Sequence, residues 1–167
     1  MKKATGFTLI EVLVSLVLLS GGLLGLAALQ ATSLKNNQIA YNRNQATQLA
    51  YDMTDRMRVN IDEVLNPATR LPLPNSTYMT LAPNAAASQP DCIAVSATCT
   101  IADMAQNDLF EWNNAIALTL PNGTGSITVD AAQVFTITIT WTENSDRNND
   151  GTIDVNDVVS FQTGFQL

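Results

Sequence analysis

The chain has 167 residues, of which 15 are acidic and 8 are basic, so its formal net charge is −7. This length suits one domain together with an extended helix. The acidic excess opposes nucleic-acid binding, which relies on Lys and Arg to contact phosphates. Histidine is absent, which excludes His-containing catalytic triads, imidazole general bases and His-ligated metals. No Gly-rich phosphate loop is present either, and we expect no enzyme.

A long apolar run begins close to the N-terminus. Residues 12–34 are 23 positions without a charged side chain, and about 20 mostly apolar residues suffice for a helix to span a bilayer. A secretory signal peptide has a shorter apolar core, of about 7–15 residues, with a small residue after it. Here the small residue, Gly6, precedes the run. We therefore predict a spanning helix, and Lys2 and Lys3 before it predict a cytoplasmic N-terminus.

One carboxylate, Glu11, lies near the start of this apolar segment. A charge at the middle of a bilayer costs about 2.5–3.5 kcal/mol on insertion scales. At about 1.5 Å per residue, Glu11 lies only about 7 Å beyond Gly6, so it is near the interface and costs less. A carboxylate on an apolar helix still requires a partner. The alternative interpretation is that Glu11 is an interfacial anchor residue.

The stretch Gly6-Phe7-Thr8-Leu9-Ile10-Glu11, preceded by Lys2-Lys3, resembles the class III leader of type IV pilins and type II secretion pseudopilins. The resemblance implies that residues 1–6 are a leader peptide, which a prepilin peptidase removes by cleavage between Gly6 and Phe7. It also implies N-methylation of Phe7, and contact of Glu11 with the N-terminal amine of a neighbouring subunit. Loss of the two leader lysines would lower the formal charge from −7 by two, to −9.

The sequence turns polar after the apolar run but keeps helical spacing of its apolar residues. No Pro or Gly occurs between residues 29 and 58, so we expect one continuous helix from about Phe7 to about Asn60. Residues 7–34 would form its transmembrane and assembly half. Residues 35–60 would form its amphipathic half.

Residues 61–167 are expected to form a periplasmic domain that contains an αβ-region and a sheet. Residues 66–90 hold five of the six prolines, which indicates a loop-rich connector, with one short strand near residues 78–81. Thr100 and Asp103 form a capping-box pattern that predicts the start of a second helix. Its apolar stripe is interpreted as core rather than as a binding site; the residues are Leu109, Trp112, Ile116 and Leu120.

Three strands are predicted towards the C-terminus, over residues 126–130, 134–141 and 158–165. The second alternates Phe, Ile and Trp with Thr, which is typical of a half-buried strand. The predicted fold class is α+β: a small antiparallel sheet packed on the outer half of the long helix, as in the pilin fold that the leader resemblance implies.

Cys92 and Cys99 are the only cysteines, and both follow the predicted span. On the outer side of the inner membrane disulfides persist, so we predict one disulfide that closes a small loop. Two free thiols or half of a metal site are the alternatives. The spacing of the two cysteines matches no common zinc pattern.

An acidic segment, residues 146–157, matches the calcium-loop template D-x-[DN]-x-[DN]-G. Gly151 would allow the sharp turn at the sixth position. The last position holds Asp where Glu is usual, and a strand rather than a helix is expected before the segment. The alternative is a solvated acidic turn, since Asp, Asn and Gly favour turns. The expected calcium ligands are Asp146, Asn148, Asp150, Thr152, Asp154 and Asp157.

Residues 48–60, and residues 108–114 followed by 120–123, are similar to PilV-type minor pilins. The charged side chains of the first stretch are expected to form a solvated helix face with i,i+3 and i,i+4 pairs. The similarity implies an inner-membrane subunit that later reaches the pilus on the cell surface. Its implied partners are other minor pilins, the major pilin, the prepilin peptidase and the inner-membrane assembly platform. A type II secretion pseudopilin and a calcium-dependent adhesive subunit are the alternatives.

Overall fold

The computed structural model describes residues 6, 8–94, 98–143, 152 and 157–167. The described chain is α+β, as the sequence predicts. Its helices and strands are α1 Leu9–Val59, α2 Ile61–Val64, α3 Thr77–Thr80, α4 Ile101–Thr119, β1 Thr124–Val129, β2 Phe135–Thr142 and β3 Val158–Phe165. The chain divides into two compact units, the second of which is Ala40–Leu167.

Helix α1 is 51 residues long, which confirms the continuous helix expected from the absence of Pro and Gly after residue 29. By length and composition it can cross a membrane, and none of its most apolar window is buried. At its start, the main-chain N–H of Glu11 donates to the carbonyl and to the hydroxyl of Thr8, at 3.1 and 3.4 Å. Thr8 therefore caps the helix by accepting from an N–H that has no partner within the helix.

The three strands form an antiparallel sheet in the order β1-β2-β3. The central strand β2 alternates as predicted, with its large apolar side chains buried and its threonines half-buried. Ile127 pairs with Ile137, and Ile139 pairs with Phe161, so apolar residues adjoin across the strands. Such cross-strand pairs stabilise one register, because a slip by one residue would turn every buried side chain outward.

The hydrophobic core lies within the second unit. Helix α1 contributes Ala46, Ala50, Met53 and Met57, which recur at helical spacing and are fully buried. The predicted apolar stripe of α4 is buried as well, which confirms its interpretation as core. The indole N–H of Trp112 donates to the carbonyl of Leu49 at 2.9 Å, so α4 is joined to α1 by a hydrogen bond as well as by packing.

The prediction of a strand near residues 78–81 is wrong, because Thr77–Thr80 forms a helical turn, α3. The main-chain N–H of Leu81 donates to Thr77 and the Thr80 hydroxyl donates to Ser76, at 3.0 and 2.9 Å. This turn buries Tyr78, whose hydroxyl donates to Asp108 of α4 at 2.5 Å. The tertiary contact of one aromatic side chain therefore outweighs the weak local preference for a strand.

Helix α4 begins with the predicted capping box, in which the Thr100 hydroxyl accepts from the Asp103 N–H and the Asp103 carboxylate accepts from the Thr100 N–H. Cys92 and Cys99 are joined by a disulfide, with their Cα atoms 4.9 Å apart, as expected from their position after the span. The bond attaches the turn Pro90–Cys92 to the residues just before α4.

Candidate functional site

Glu11 is the third residue of α1, and its side chain is exposed. A carboxylate in the first turn interacts favourably with the N–H groups at the helix N-terminus. Ser15, one turn further on, donates its hydroxyl to the main-chain carbonyl oxygen of Glu11 at 2.7 Å and not to its carboxylate. Among the described residues no cation lies within ion-pair distance of Glu11. The inter-subunit contact that the leader resemblance implies for Glu11 therefore stays a prediction.

The first 26 residues of α1 present large apolar side chains on all sides. From Leu9 to Leu34 these side chains are 49–80% exposed. A continuous exposed apolar surface of this extent marks contact with lipid or with other apolar helices. The first part of the helix therefore has the properties of a membrane anchor.

A charged cluster connects the other end of α1 to α3 and α4. The Arg56 guanidinium lies 3.0 Å from Asp108, 2.8 Å from Glu111 and 2.9 Å from Asp52. The Tyr78 hydroxyl donates to the second Asp108 oxygen. We call these five residues the Arg56 cluster. One cation thus holds carboxylates from two helices, and the buried tyrosine completes the hydrogen bonding of Asp108.

The surroundings of the Arg56 cluster fix its protonation. Burial alone would lower the pKa of Arg56, but its hydrogen bonds to Glu111, Asp108 and Asp52 outweigh burial and raise that pKa. Burial raises the pKa of Tyr78, and its bond to Asp108 raises it further. The hydrogen bond from Arg56 lowers the pKa of Glu111. Arg56 is therefore charged and Tyr78 neutral at physiological pH, as suits a structural connection rather than proton transfer.

Comparison with known protein families identifies the N-terminal segment. Residues 1–27 match the family model described as Prokaryotic N-terminal methylation motif. The chain has a prepilin-like N-terminus. This motif supports placement in the type IV pilin superfamily, and it implies processing by a prepilin peptidase and assembly into pilus-like complexes. Together with the pilin-like fold, it suggests a structural subunit and not an enzyme. No curated protein and no solved structure matches the chain.

The structure places only part of the predicted sites of this prepilin-like chain. Gly6 precedes α1 and is exposed, whereas Phe7 lies outside the described residues. Of the expected calcium ligands, Thr152 is exposed and Asp157 is buried, with the Asp157 carbonyl accepting the Glu143 N–H at 3.0 Å. The other four, Asp146, Asn148, Asp150 and Asp154, lie outside the described residues.

Within the described part of the chain, no group of three or more His, Cys, Asp or Glu residues is placed to hold a metal ion. The calcium site is expected mainly on residues beyond that part, so it stays a prediction.

The Arg56 cluster is the feature that sequence reasoning missed. The expected i,i+4 pair of Arg56 with Asp52 and the i,i+3 pair of Arg58 with Asp55 are both present. The contacts of Arg56 with α4 cross 52 and 55 positions of sequence, and no local pattern indicates them. One signal was available: the cluster joins residues 48–60 to residues 108–114, the two stretches that the sequence alone singled out.

Proposed function

We propose that the chain is a PilV-type minor pilin. It would be a membrane-anchored subunit that acts in pilus assembly and enters the pilus at low abundance. The observation that carries this proposal is the prepilin-type motif at the head of a 51-residue helix, whose outer part packs into an α+β unit. Before assembly the N-terminus would lie in the cytoplasm and the second unit in the periplasm.

The position of Glu11 supports an assembly role. Cleavage after Gly6 would leave a new amine on Phe7, four positions before Glu11 in the same apolar segment. An exposed carboxylate on a helix surrounded by lipid or by other apolar helices is costly unless a positive group neutralises it. The N-terminal amine of a neighbouring subunit would supply that charge. Burial of the apolar surface of α1 against other subunits would then favour the assembled state.

The choice of minor pilin over pseudopilin rests on the two stretches of PilV-type similarity. These stretches contact each other through the Arg56 cluster, so the similarity falls on one structural element rather than on scattered positions. The proposed partners are other minor pilins, the major pilin, the prepilin peptidase and the inner-membrane assembly platform. A type II secretion pseudopilin would have the same leader and fold.

The test uses a host strain that lacks this chain and is complemented with variants. Wild-type protein should restore pili and should itself be found in sheared pili. Glu11→Leu should be inserted and cleaved normally but should be lost from pili, because only the charge is removed. Ser15→Leu, a matched change one turn along the same helix face, should behave as wild type. Restored protein secretion with no effect on pili would replace the minor-pilin assignment by the pseudopilin one.

The leader assignment is tested separately. Gly6→Ala should block cleavage, because the peptidase is expected to need a residue without a side chain at this position. The precursor should then remain in the inner membrane. Mature protein of normal length in this variant, by intact-mass measurement, would contradict the assignment.

A further inference from the structure

A groove runs between the end of α1 and the start of α4. It has a volume of about 420 Å³ and is lined in part by the apolar side chains of Val59, Ile101 and Met104. Val59 is 88% exposed and Ile101 is 49% exposed, although both lie beside the well-packed core of the second unit. Exposed apolar residues that gather in a concavity mark a binding site more often than scattered ones do.

The border of this groove is acidic. Asp52, Arg56 and Asp108 of the Arg56 cluster line it, and together with Asp55 they give three carboxylates against one guanidinium, a net charge of −2 for the lining. The Asp55 carboxylate is 73% exposed, and its ion-pair partner Arg58, 3.0 Å away, does not line the groove. At the start of α4 the capping box engages the Asp103 N–H, and the Asp103 carboxylate offsets part of the positive potential at this helix end. The potential at the border is therefore negative.

We propose that this acidic groove docks another envelope protein through a segment in which an apolar side chain adjoins a lysine or an arginine. The apolar side chain would pack on Val59 and Ile101, and the adjoining cation would meet the exposed carboxylates of Asp52 and Asp55. An apolar anchor with complementary charge at the rim is the arrangement that gives both affinity and a fast encounter. This inference goes beyond the assembly role, because Glu11 and the apolar part of α1 take no part in it.

The charge of the chain argues for a different protein as the occupant. A second copy carries the same excess of 15 acidic over 8 basic residues, so two copies repel one another. An anionic lipid surface is disfavoured for the same reason, since the border would face negative headgroups. A basic segment of another protein satisfies both the apolar lining and the border.

The test is photo-crosslinking of the full chain in its host cells. A photoreactive p-benzoylphenylalanine replaces Val59, and in a parallel strain it replaces Leu118, which is similarly exposed at 86% but does not line the groove. Mass spectrometry then locates the crosslinked residue of the partner. The same measurement is repeated with Asp55→Lys, and with Asp62→Lys as a control for an exposed carboxylate away from the groove. Immunoblots verify equal amounts of each variant.

We expect the Val59 position to crosslink to one protein, at a segment with Lys or Arg beside the attached apolar residue. Asp55→Lys should lower this yield about tenfold and Asp62→Lys should leave it unchanged, because only the first places a positive charge at the contact. The proposal would be overturned if the Leu118 position crosslinked equally well, or if the two lysine variants gave equal yields. It would also be overturned if the Val59 position attached to a second copy, to lipid or to a segment without basic residues. Pili are counted in the same cells, so loss of the groove contact with normal piliation leaves the proposed function intact.

Discussion

Replacement of Arg56 by methionine tests whether the Arg56 cluster holds α1 against α4. Methionine keeps most of the aliphatic packing of arginine and removes the guanidinium, so the change isolates the charge and its hydrogen bonds. Asp108 would keep the Tyr78 hydroxyl but lose its cation. The Asp108 side chain is only 10% exposed, and water therefore cannot fully replace the lost partner.

The size of the effect follows from burial. Breaking a buried ion pair by removal of one partner costs about 3–5 kcal/mol, whereas exposed pairs contribute about 0–1 kcal/mol. The Arg56 side chain is 28% exposed and lies between these cases. We expect Arg56→Met to lower the free energy of unfolding by about 2–3 kcal/mol. Arg58→Met is the matched control, because Arg58 is 53% exposed with one ion pair, and we expect a loss below about 1 kcal/mol.

The assay is urea unfolding of the full chain in nonionic detergent, monitored by tryptophan fluorescence emission. Trp112 and Trp141 are the only tryptophans and both are buried in the second unit, so the signal reports on that unit alone. Equal losses in the two variants, or a loss below about 0.5 kcal/mol for Arg56→Met, would show that the cluster is a surface feature without a structural role.

Three further outcomes are expected. The stability of the second unit should fall as pH rises past 10, because tyrosine in the unfolded chain ionises near its ordinary pKa of 10.0 while burial and Asp108 keep the pKa of Tyr78 higher in the folded chain. The urea midpoint should therefore decrease with pH in this range, and it should decrease less in Tyr78→Phe. An equal decrease in Tyr78→Phe would contradict the burial argument. Gly125→Ala should lower the free energy of unfolding by about 1–3 kcal/mol in the urea assay, because its Cβ would overlap the Trp112 ring. Gly164→Ala should cost less, because the nearest atom to its added Cβ is 3.2 Å away; equal losses in the two variants would contradict this reasoning. We also propose that residues 146–157 bind calcium. The full chain should then melt at a higher temperature in calcium than in chelator, since a hundredfold excess of calcium over Kd stabilises the folded state by about 2.7 kcal/mol. Magnesium should substitute poorly and Asp150→Ala should show no shift, whereas equal melting curves for the unsubstituted chain would leave only the solvated acidic turn.

The sequence by itself determined the features that depend on near neighbours in the chain. The apolar part of α1 requires only an uninterrupted apolar run, and the start of α4 requires only Thr100 and Asp103, three positions apart. The alternation of β2 follows from the two-residue repeat of a strand. The prepilin-like leader is likewise a contiguous pattern, and residues 1–27 suffice to match it. In each of these the physical cause lies within a few residues.

The tertiary structure decided what depends on residues far apart in the chain. Tyr78 and Asp108 are 30 positions apart, and their hydrogen bond fixes α3 as a helical turn where local preference favoured a strand. Arg56 reaches Asp108 across 52 positions and turns an expected solvated face into a connection between helices. The acidic groove arises only because the ends of α1 and α4 lie side by side. Local sequence patterns indicate which side chains are buried or charged. Tertiary packing determines which residues those side chains contact.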